Sequence, residues 1–229
     1  MTIELINITK TYKENRGVHQ IYAKIEAGQI IALVGANGAG KSTIIKLLTG
    51  QLTPDEGEMK GLSKESLRYM PDDLNFPDTL TAAEILALLA NLKNISATVI
   101  PDLLKQVGLA DKGHLRVSEY SKGMRQRLNL AQSMLGDGDF YILDEPTNGL
   151  DPFWIATLKN MLVKEKQKGT HVLFSTHLLS FAEEIADEVI LIHEGEIIAT
   201  GKIADLLAQH QCDTLEQLWL KQTKVELTV

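Results

Sequence analysis

The chain contains one cysteine in 229 residues, Cys212, so no disulfide can form within it. Basic residues are in the minority, 23 Lys and Arg against 30 Asp and Glu for a net charge of −7, which argues against a broad cationic footprint for nucleic acid. No apolar run is long enough to span a bilayer; the longest helical one, AAEILALLANL, is too short and carries Glu84. The opening residues, MTIELINITK, lack the basic and then apolar pattern of a secretion signal. Internal repeats and low-complexity tracts are absent as well. These absences point to a cytosolic chain whose membrane role, if it has one, runs through a partner. What remains is 44% hydrophobic, enough for one large domain or a domain carrying an inserted subdomain.

Against that background the stretch GANGAGKST stands out. It fits G-x-x-x-x-G-K-[ST] from Gly35 through Asn37, Gly38, Ala39 and Gly40 to Lys41 and Ser42, with Thr43 following. Small residues in this order let backbone N–H groups turn inward around a triphosphate, which larger side chains would hold away. Lys41 is placed to reach the β- and γ-phosphates and the Ser42 hydroxyl to ligate Mg²⁺. The flanks agree: QIIALVGA is a buried parallel strand by composition, and KSTIIKLLTG is a helix ending at Gly50. Such a helix presents free N–H groups and a positive dipole end to the phosphates. The alternative is a tight glycine turn in an α/β domain that binds no nucleotide.

Along the chain, TIELINITKTY and VHQIYAKIEAGQI alternate apolar and polar residues and predict an N-terminal antiparallel sheet. A parallel α/β core begins at Ile30. After GEMKG the pattern changes to a strand LRYMP, a proline-bounded loop DDLNFPD, and helices from TAAEILALLANL and IPDLLKQVGL, a helical insertion over residues 79–136. The core resumes with FYILDEP, a helix from Pro152 to Lys168, the strand HVLFST, the helix LLSFAEEIADEV and the strands VILIHEG and EIIATG. Two short amphipathic helices, KIADLLAQ and TLEQLWLKQT, close the chain. Leu215, Leu218, Trp219 and Leu220 give the last one an apolar side that packs on the core or pairs with a second subunit.

Three further segments carry chemistry. FYILDE is an apolar strand ending in adjacent acids, Asp144 and Glu145, an arrangement that is costly without a positive charge nearby. A nucleotide-bound Mg²⁺ supplies one, with Asp144 holding the ion through a water and Glu145 polarising the attacking water. The competing reading makes both acids caps of the helix that starts at Pro152. His177 closes the strand HVLFST at the carboxyl edge of the core, where ligands bind in open α/β sheets, and is a candidate γ-phosphate contact. The other histidines, His19, His114, His171, His193 and His210, read as ordinary surface or loop residues. Finally, YSKGMRQRLNLAQSML is a patterned helix capped by Ser121, with Leu128, Ala131 and Leu135 on its buried side.

That last segment also resembles the signature of ATP-binding-cassette proteins, whose common form Leu-Ser-Gly-Gly-Gln is met here at Ser121 and Gly123, with Tyr120, Lys122 and Met124 replacing the rest. The phosphate loop, the Asp144–Glu145 strand, Gly149-Leu150-Asp151 as the D-loop and His177 as the switch histidine extend the resemblance from Ile3 to about residue 204. It implies a mixed α/β P-loop core over residues 1–78 and 137–205 with an antiparallel β-subdomain, a helical subdomain over 79–136 and C-terminal helices over 206–229. It also implies ATP and Mg²⁺ as cofactors, Tyr12 stacking on adenine, Glu145, His177 and Lys41 as the catalytic set, and Ser42 and Asp144 at the metal.

Two departures mark a subgroup. Asp72 occupies the place of the family's usual glutamine, beside the metal and the water, and Lys122 replaces a signature glycine. Family members that serve a separate export-type permease often share both. The resemblance therefore implies an ATPase on the inner face of the cell membrane that energises a separate integral membrane permease. A second ATPase subunit, identical or different, sandwiches two ATP molecules head to tail, with Ser121, Lys122 and Gly123 facing the partner's nucleotide. A soluble mechanical ATPase acting on ribosomes or DNA is the alternative within the family, and a kinase or GTPase sharing only the phosphate loop is the alternative outside it.

Overall fold

The phosphate-loop strand lies near the middle of a six-stranded sheet. The computed structural model describes residues 2–26, 28–62 and 66–223, so the end of the 206–229 segment falls outside the described residues. Strands β5 (Leu67–Met70), β6 (Phe140–Leu143), β7 (His171–Thr176), β3 (Ile30–Val34), β8 (Glu188–His193) and β9 (Glu196–Lys202) follow one another across this sheet in that spatial order. The first five run parallel, and β9 returns antiparallel from β8. A second sheet holds β1 (Ile3–Thr11) between β2 (Gly17–Ile25) and β4 (Glu56–Lys60), all antiparallel.

The inner parallel strands β6, β7 and β3 are buried throughout, which explains why they read as largely apolar runs. Successive side chains divide between two cores. Ile30, Ala32, Val34, Val172, Phe174, Val189 and Leu191 face a core shared with the helices of the insertion and with α5 (Pro152–Gln167), α6 (Leu179–Ile185), α7 (Ile203–His210) and α8 (Leu215–Thr223). Ile31, Leu33, Ile142, Leu173, Ile190 and Ile192 face the other, shared with helix α1 (Lys41–Leu48) and the antiparallel sheet. Helices α2 (Ala82–Leu92), α3 (Ile100–Gln106) and α4 (Lys122–Ser133) pack on one another, and their apolar residues are continuous with the first core. The predicted helical insertion is thus a cluster of helices without a separate apolar core.

Local signals decide the boundaries. Thr81 accepts from the Glu84 N–H while the Glu84 carboxylate accepts from the Thr81 N–H, a capping box that starts α2. Asp151 caps α5 (Pro152–Gln167) by accepting from the Trp154 N–H at 2.9 Å, with Pro152 at the first helical position. That helix stops one residue before the predicted Lys168, ahead of Gly169 at φ +86°.

The structure revises several expectations. Helix α6 (Leu179–Ile185) is shorter than predicted: Ala186 is extended and the Asp187 carboxylate accepts from the Ile30 N–H at 2.9 Å, so the chain turns into β8 at Glu188. GEMKG, read as the start of a change of pattern, is strand β4, invisible to periodicity because only Met59 of EGEMK is even half-buried. Tyr12 lies just beyond β1, not in a strand. His171 is not a surface residue. It is 4% exposed, its ring stands edge-on to Phe140, and Nδ1 lies 3.1 Å from the Glu26 carbonyl.

The closing helices α7 (Ile203–His210) and α8 (Leu215–Thr223) do pack on the core, with Leu215 and Leu218 fully buried. Leu218→Ala is expected to lower unfolding stability by about 2–5 kcal/mol, read as a lower urea midpoint at constant m-value.

Candidate functional site

Strands β6, β7 and β3 are neighbours, and their carboxyl ends release Asp144 and Glu145, His177, and the phosphate loop side by side. The loop is made of glycines where nothing else fits. A Cβ on Gly35 would stand 2.5 Å from the Ile192 carbonyl oxygen, and one on Gly40, at φ +114°, 2.7 Å from Val18 Cγ1. Gly40 is the residue before α1, so the loop delivers Lys41, Ser42 and Thr43 to the first turn of that helix.

Lys41 is 6% exposed. Its Nζ donates to the carbonyls of Gly35 at 2.7 Å and Ala36 at 3.3 Å, and lies 3.1 Å from Glu145 Oε1. Glu145, 6% exposed, has its other oxygen 2.9 Å from His177 Nδ1. Its backbone sits at φ +46°, a sparsely populated conformation for a non-glycine residue. The Glu145 N–H donates to Ser175 Oγ at 2.9 Å, and Ser175 Oγ donates to Asp144 Oδ1 at 2.5 Å. One buried hydroxyl therefore orients both acids. The alternative in which the acids cap α5 fails, because Asp151 performs that task.

Burial raises the Asp144 pKa above its ordinary 3.8; the Ser175 hydrogen bond opposes this, the negative charges of Asp72 and Glu145 add to it, and the Ser42 hydroxyl opposes it again. Asp72 Oδ1 accepts from Asn148 Nδ2 at 2.7 Å, which ties the segment after β5 to the segment after Glu145. Tyr12, Asn37, Gly38, Gly40, Lys41, Ser42, Thr43, Asp72 and Glu145 line one cavity of about 220 Å³. Ala39 lines the adjoining cavity with Asn37 and Gly38, and Asp144 the one on the Ser42–Asp72 side. Tyr12, the aromatic residue of that lining, is 42% exposed.

Ser121, Lys122 and Gly123 do not line that cavity. Ser121 caps α4 by accepting from the Met124 N–H at 3.2 Å. Gly123 lies against the D-loop: a Cβ there would come 2.9 Å from the Gly149 carbonyl oxygen. Ser175, Gln126 and Asn148 were not singled out from the sequence. Gln126 Nε2 donates to the carbonyl of Glu145 at 3.4 Å and to that of Pro146 at 3.5 Å.

The donors fit a nucleotide-bound Mg²⁺. Ser42 and Asp144 offer hard oxygen donors beside a concentration of carboxylates. Among the described residues no group of three His, Cys, Asp or Glu is close enough to hold a metal without help. Glu145 Oε1 is buried against the Lys41 ammonium, 3.1 Å away, with no further hydrogen bond among the described residues. Asp144→Asn gives the test. A carboxyl whose folded pKa is raised contributes stability at low pH that is lost as pH rises through that value. Measured without nucleotide or Mg²⁺, Asp144→Asn is expected to raise the melting temperature at pH 7, with the gain shrinking towards pH 4; an unchanged or lower value at pH 7 contradicts the charge-burial account.

The family described as ABC transporter matches residues 18–148. The chain is 35% identical over 218 residues to an uncharacterized ABC transporter ATP-binding protein of Bacillus subtilis, YxlF, covering 91% of this chain and 74% of that protein. It is 35% identical over 203 residues to the lantibiotic transport ATP-binding protein SrtF of Streptococcus pyogenes, covering 86% of this chain and 89% of the relative. The bacitracin transport ATP-binding protein BcrA of Enterococcus faecalis is 34% identical over 216 residues, with 89% and 70% covered. Among solved structures, the ATP-binding subunit of an ABC transporter superposes with TM-score 0.89 at 28% identity, covering 97% of this chain and all of that one. A dimeric bacterial ABC transporter cassette, at 22% identity and TM-score 0.80, shares the fold, with 88% and 98% covered. With this sequence match, this fold and this phosphate loop, the chain belongs to the ABC transporter family, as one of its ATP-binding proteins.

Proposed function

We propose that the chain is the ATP-hydrolysing subunit of an ABC exporter whose permease is a separate polypeptide. The observation that carries the catalytic part is the buried Glu145 carboxylate, with one oxygen on His177 and the other held by the Lys41 ammonium, which leaves it when Lys41 turns to the phosphates. Glu145 acts as general base, orienting a water through Oε1 and taking its proton as the water attacks the γ-phosphate. His177, with Nδ1 engaged by Glu145, keeps Nε2 for a γ-phosphate oxygen; its side chain is 45% exposed. Lys41 moves from the Gly35 and Ala36 carbonyls to the β- and γ-phosphates. Ser42 and Asp144 would hold a Mg²⁺, which would neutralise charge developing on the phosphates. Tyr12 offers its ring to the adenine.

Ser121, Lys122 and Gly123 serve the nucleotide of a second ATPase subunit, in keeping with their absence from this chain's own cavity. Closure of two copies over ATP moves the helical subdomain of residues 79–136 and transmits the motion to the membrane. The permease docks near the loop of residues 72–78, beside α2, where Leu88 and Leu92 are 53% and 70% exposed and stand one turn apart. Among the described residues no helix is long and apolar enough to cross a membrane, which fits peripheral attachment from the cytoplasmic side. The export direction rests on the subgroup resemblance at Asp72 and Lys122, and relatives are named for lantibiotic and bacitracin transport. Those names favour transport over work on ribosomes or DNA.

Glu145→Gln tests the reading. ATP binding is expected to survive while turnover falls about 10²–10⁴-fold, and light scattering with ATP and Mg²⁺ is expected to report a dimer. Turnover at the unsubstituted rate overturns the role of Glu145.

A further inference from the structure

Three backbones meet beside the phosphate loop, each through a glycine. Gly17 opens β2 at φ +134°, and a Cβ there would come 1.8 Å from the Lys10 carbonyl oxygen. On Gly40 of the phosphate loop a Cβ would lie 3.1 Å from the Gly17 carbonyl oxygen, and on Gly195, in the β8–β9 turn, 2.7 Å from that same oxygen. Hydrogen bonds complete the junction: the Gly195 N–H donates to the Ala39 carbonyl and the His19 N–H to the Gly195 carbonyl, both at 2.9 Å. The residue immediately before Gly17 is Arg16, whose carbonyl accepts from the Tyr12 N–H at 2.7 Å. Arg16 thus leaves a backbone fixed against the phosphate loop from two sides.

We infer that Arg16 is a nucleotide-binding residue whose guanidinium engages the α- and β-phosphates; the inference rests on the ATP-binding reading of the pocket above. Arg16 lines the cavity that holds Lys41 and Ser42, and also the adjoining one of about 610 Å³ lined by Asn37 and Gly38. Arg16 therefore borders both, with Asn37 and Gly38 of the loop lining each and Tyr12 lining the smaller. A planar fork of donors on a fixed backbone suits two phosphate oxygens better than a point charge does. In this structure its ion-pair partner is Glu14, at 2.7 Å, but the two side chains are 78% and 73% exposed. An exposed pair of this kind holds weakly, so phosphate oxygens displace the carboxylate readily. Lys41 serves the γ-phosphate side of the pocket and Arg16 the base side. No phosphate-loop pattern includes Arg16, because its proximity arises from the glycine junction and not from sequence neighbourhood.

Calorimetric titration of the full chain with MgATP and MgADP, at two salt concentrations, tests the assignment. Arg16→Ala is expected to weaken both nucleotides about tenfold or more, by similar factors, and to reduce the salt dependence of binding, with an unchanged melting temperature. Arg16→Lys is expected to recover part of the loss, and Glu14→Gln to tighten binding modestly. Binding of both nucleotides by Arg16→Ala within twofold of the unsubstituted chain overturns the inference, and a loss confined to ATP overturns its assignment to the α- and β-phosphates. If the unsubstituted chain binds neither nucleotide, the function proposed above falls, and the inference with it.

Discussion

A buried carboxylate between two nitrogen bases organises this protein. Glu145 stands 3.1 Å from Lys41 Nζ and 2.9 Å from His177 Nδ1, and both it and the lysine are nearly excluded from solvent. A buried charge is tolerable only when paired and hydrogen-bonded. The fold meets that demand by aligning three consecutive parallel strands, one supplying each member. Ser175, on the strand between the acids and the lysine, fixes the Glu145 N–H and the Asp144 carboxylate with a single hydroxyl. The positive φ of Glu145 is maintained by this same set of contacts.

The rest of the architecture follows from placing that triad at a sheet edge that a ligand can reach. Apolar residues on both faces of the sheet give it two cores and make it a rigid partition. One core anchors α1 and the antiparallel sheet, and so presents the phosphate loop, Tyr12 and Arg16 from one side. The other carries the helices of residues 79–136, the D-loop and the C-terminal helices. Asp72 and Asn148 link the helical side back to the acids through one hydrogen bond. That bond places the segment leading into the helices within three residues of Glu145.

Much of this was legible in the sequence. The phosphate loop declares itself because glycines at Gly35 and Gly40 are obligatory where a Cβ would strike backbone or side chain. The acids of FYILDE and His177 were legible because charge at the end of a buried strand demands a reason. Strand β4 was not legible: its exposed residues carry no alternation, and pairing with β1 is a tertiary event. Buried His171 read as surface because nothing local distinguishes a histidine that packs on Phe140 from one in solvent. The short helix α6 reflects the Asp187 side chain bonding to the Ile30 N–H, 157 residues earlier in the chain, which no window of sequence can anticipate. Ser175 and Arg16 matter through contacts across strands and turns, so their importance emerges only with the fold.

We propose that this pocket takes an ATP whose phosphates draw Lys41 away from the Gly35 and Ala36 carbonyls while Glu145 stays with His177. A crystal structure of the chain with Mg²⁺ and a non-hydrolysable ATP analogue tests it most directly. The account predicts Lys41 Nζ on the β- and γ-phosphates, Mg²⁺ beside Ser42 and Asp144, and a water on Glu145 Oε1. An analogue bound elsewhere, or bound here with Lys41 still on the Gly35 carbonyl, would contradict it.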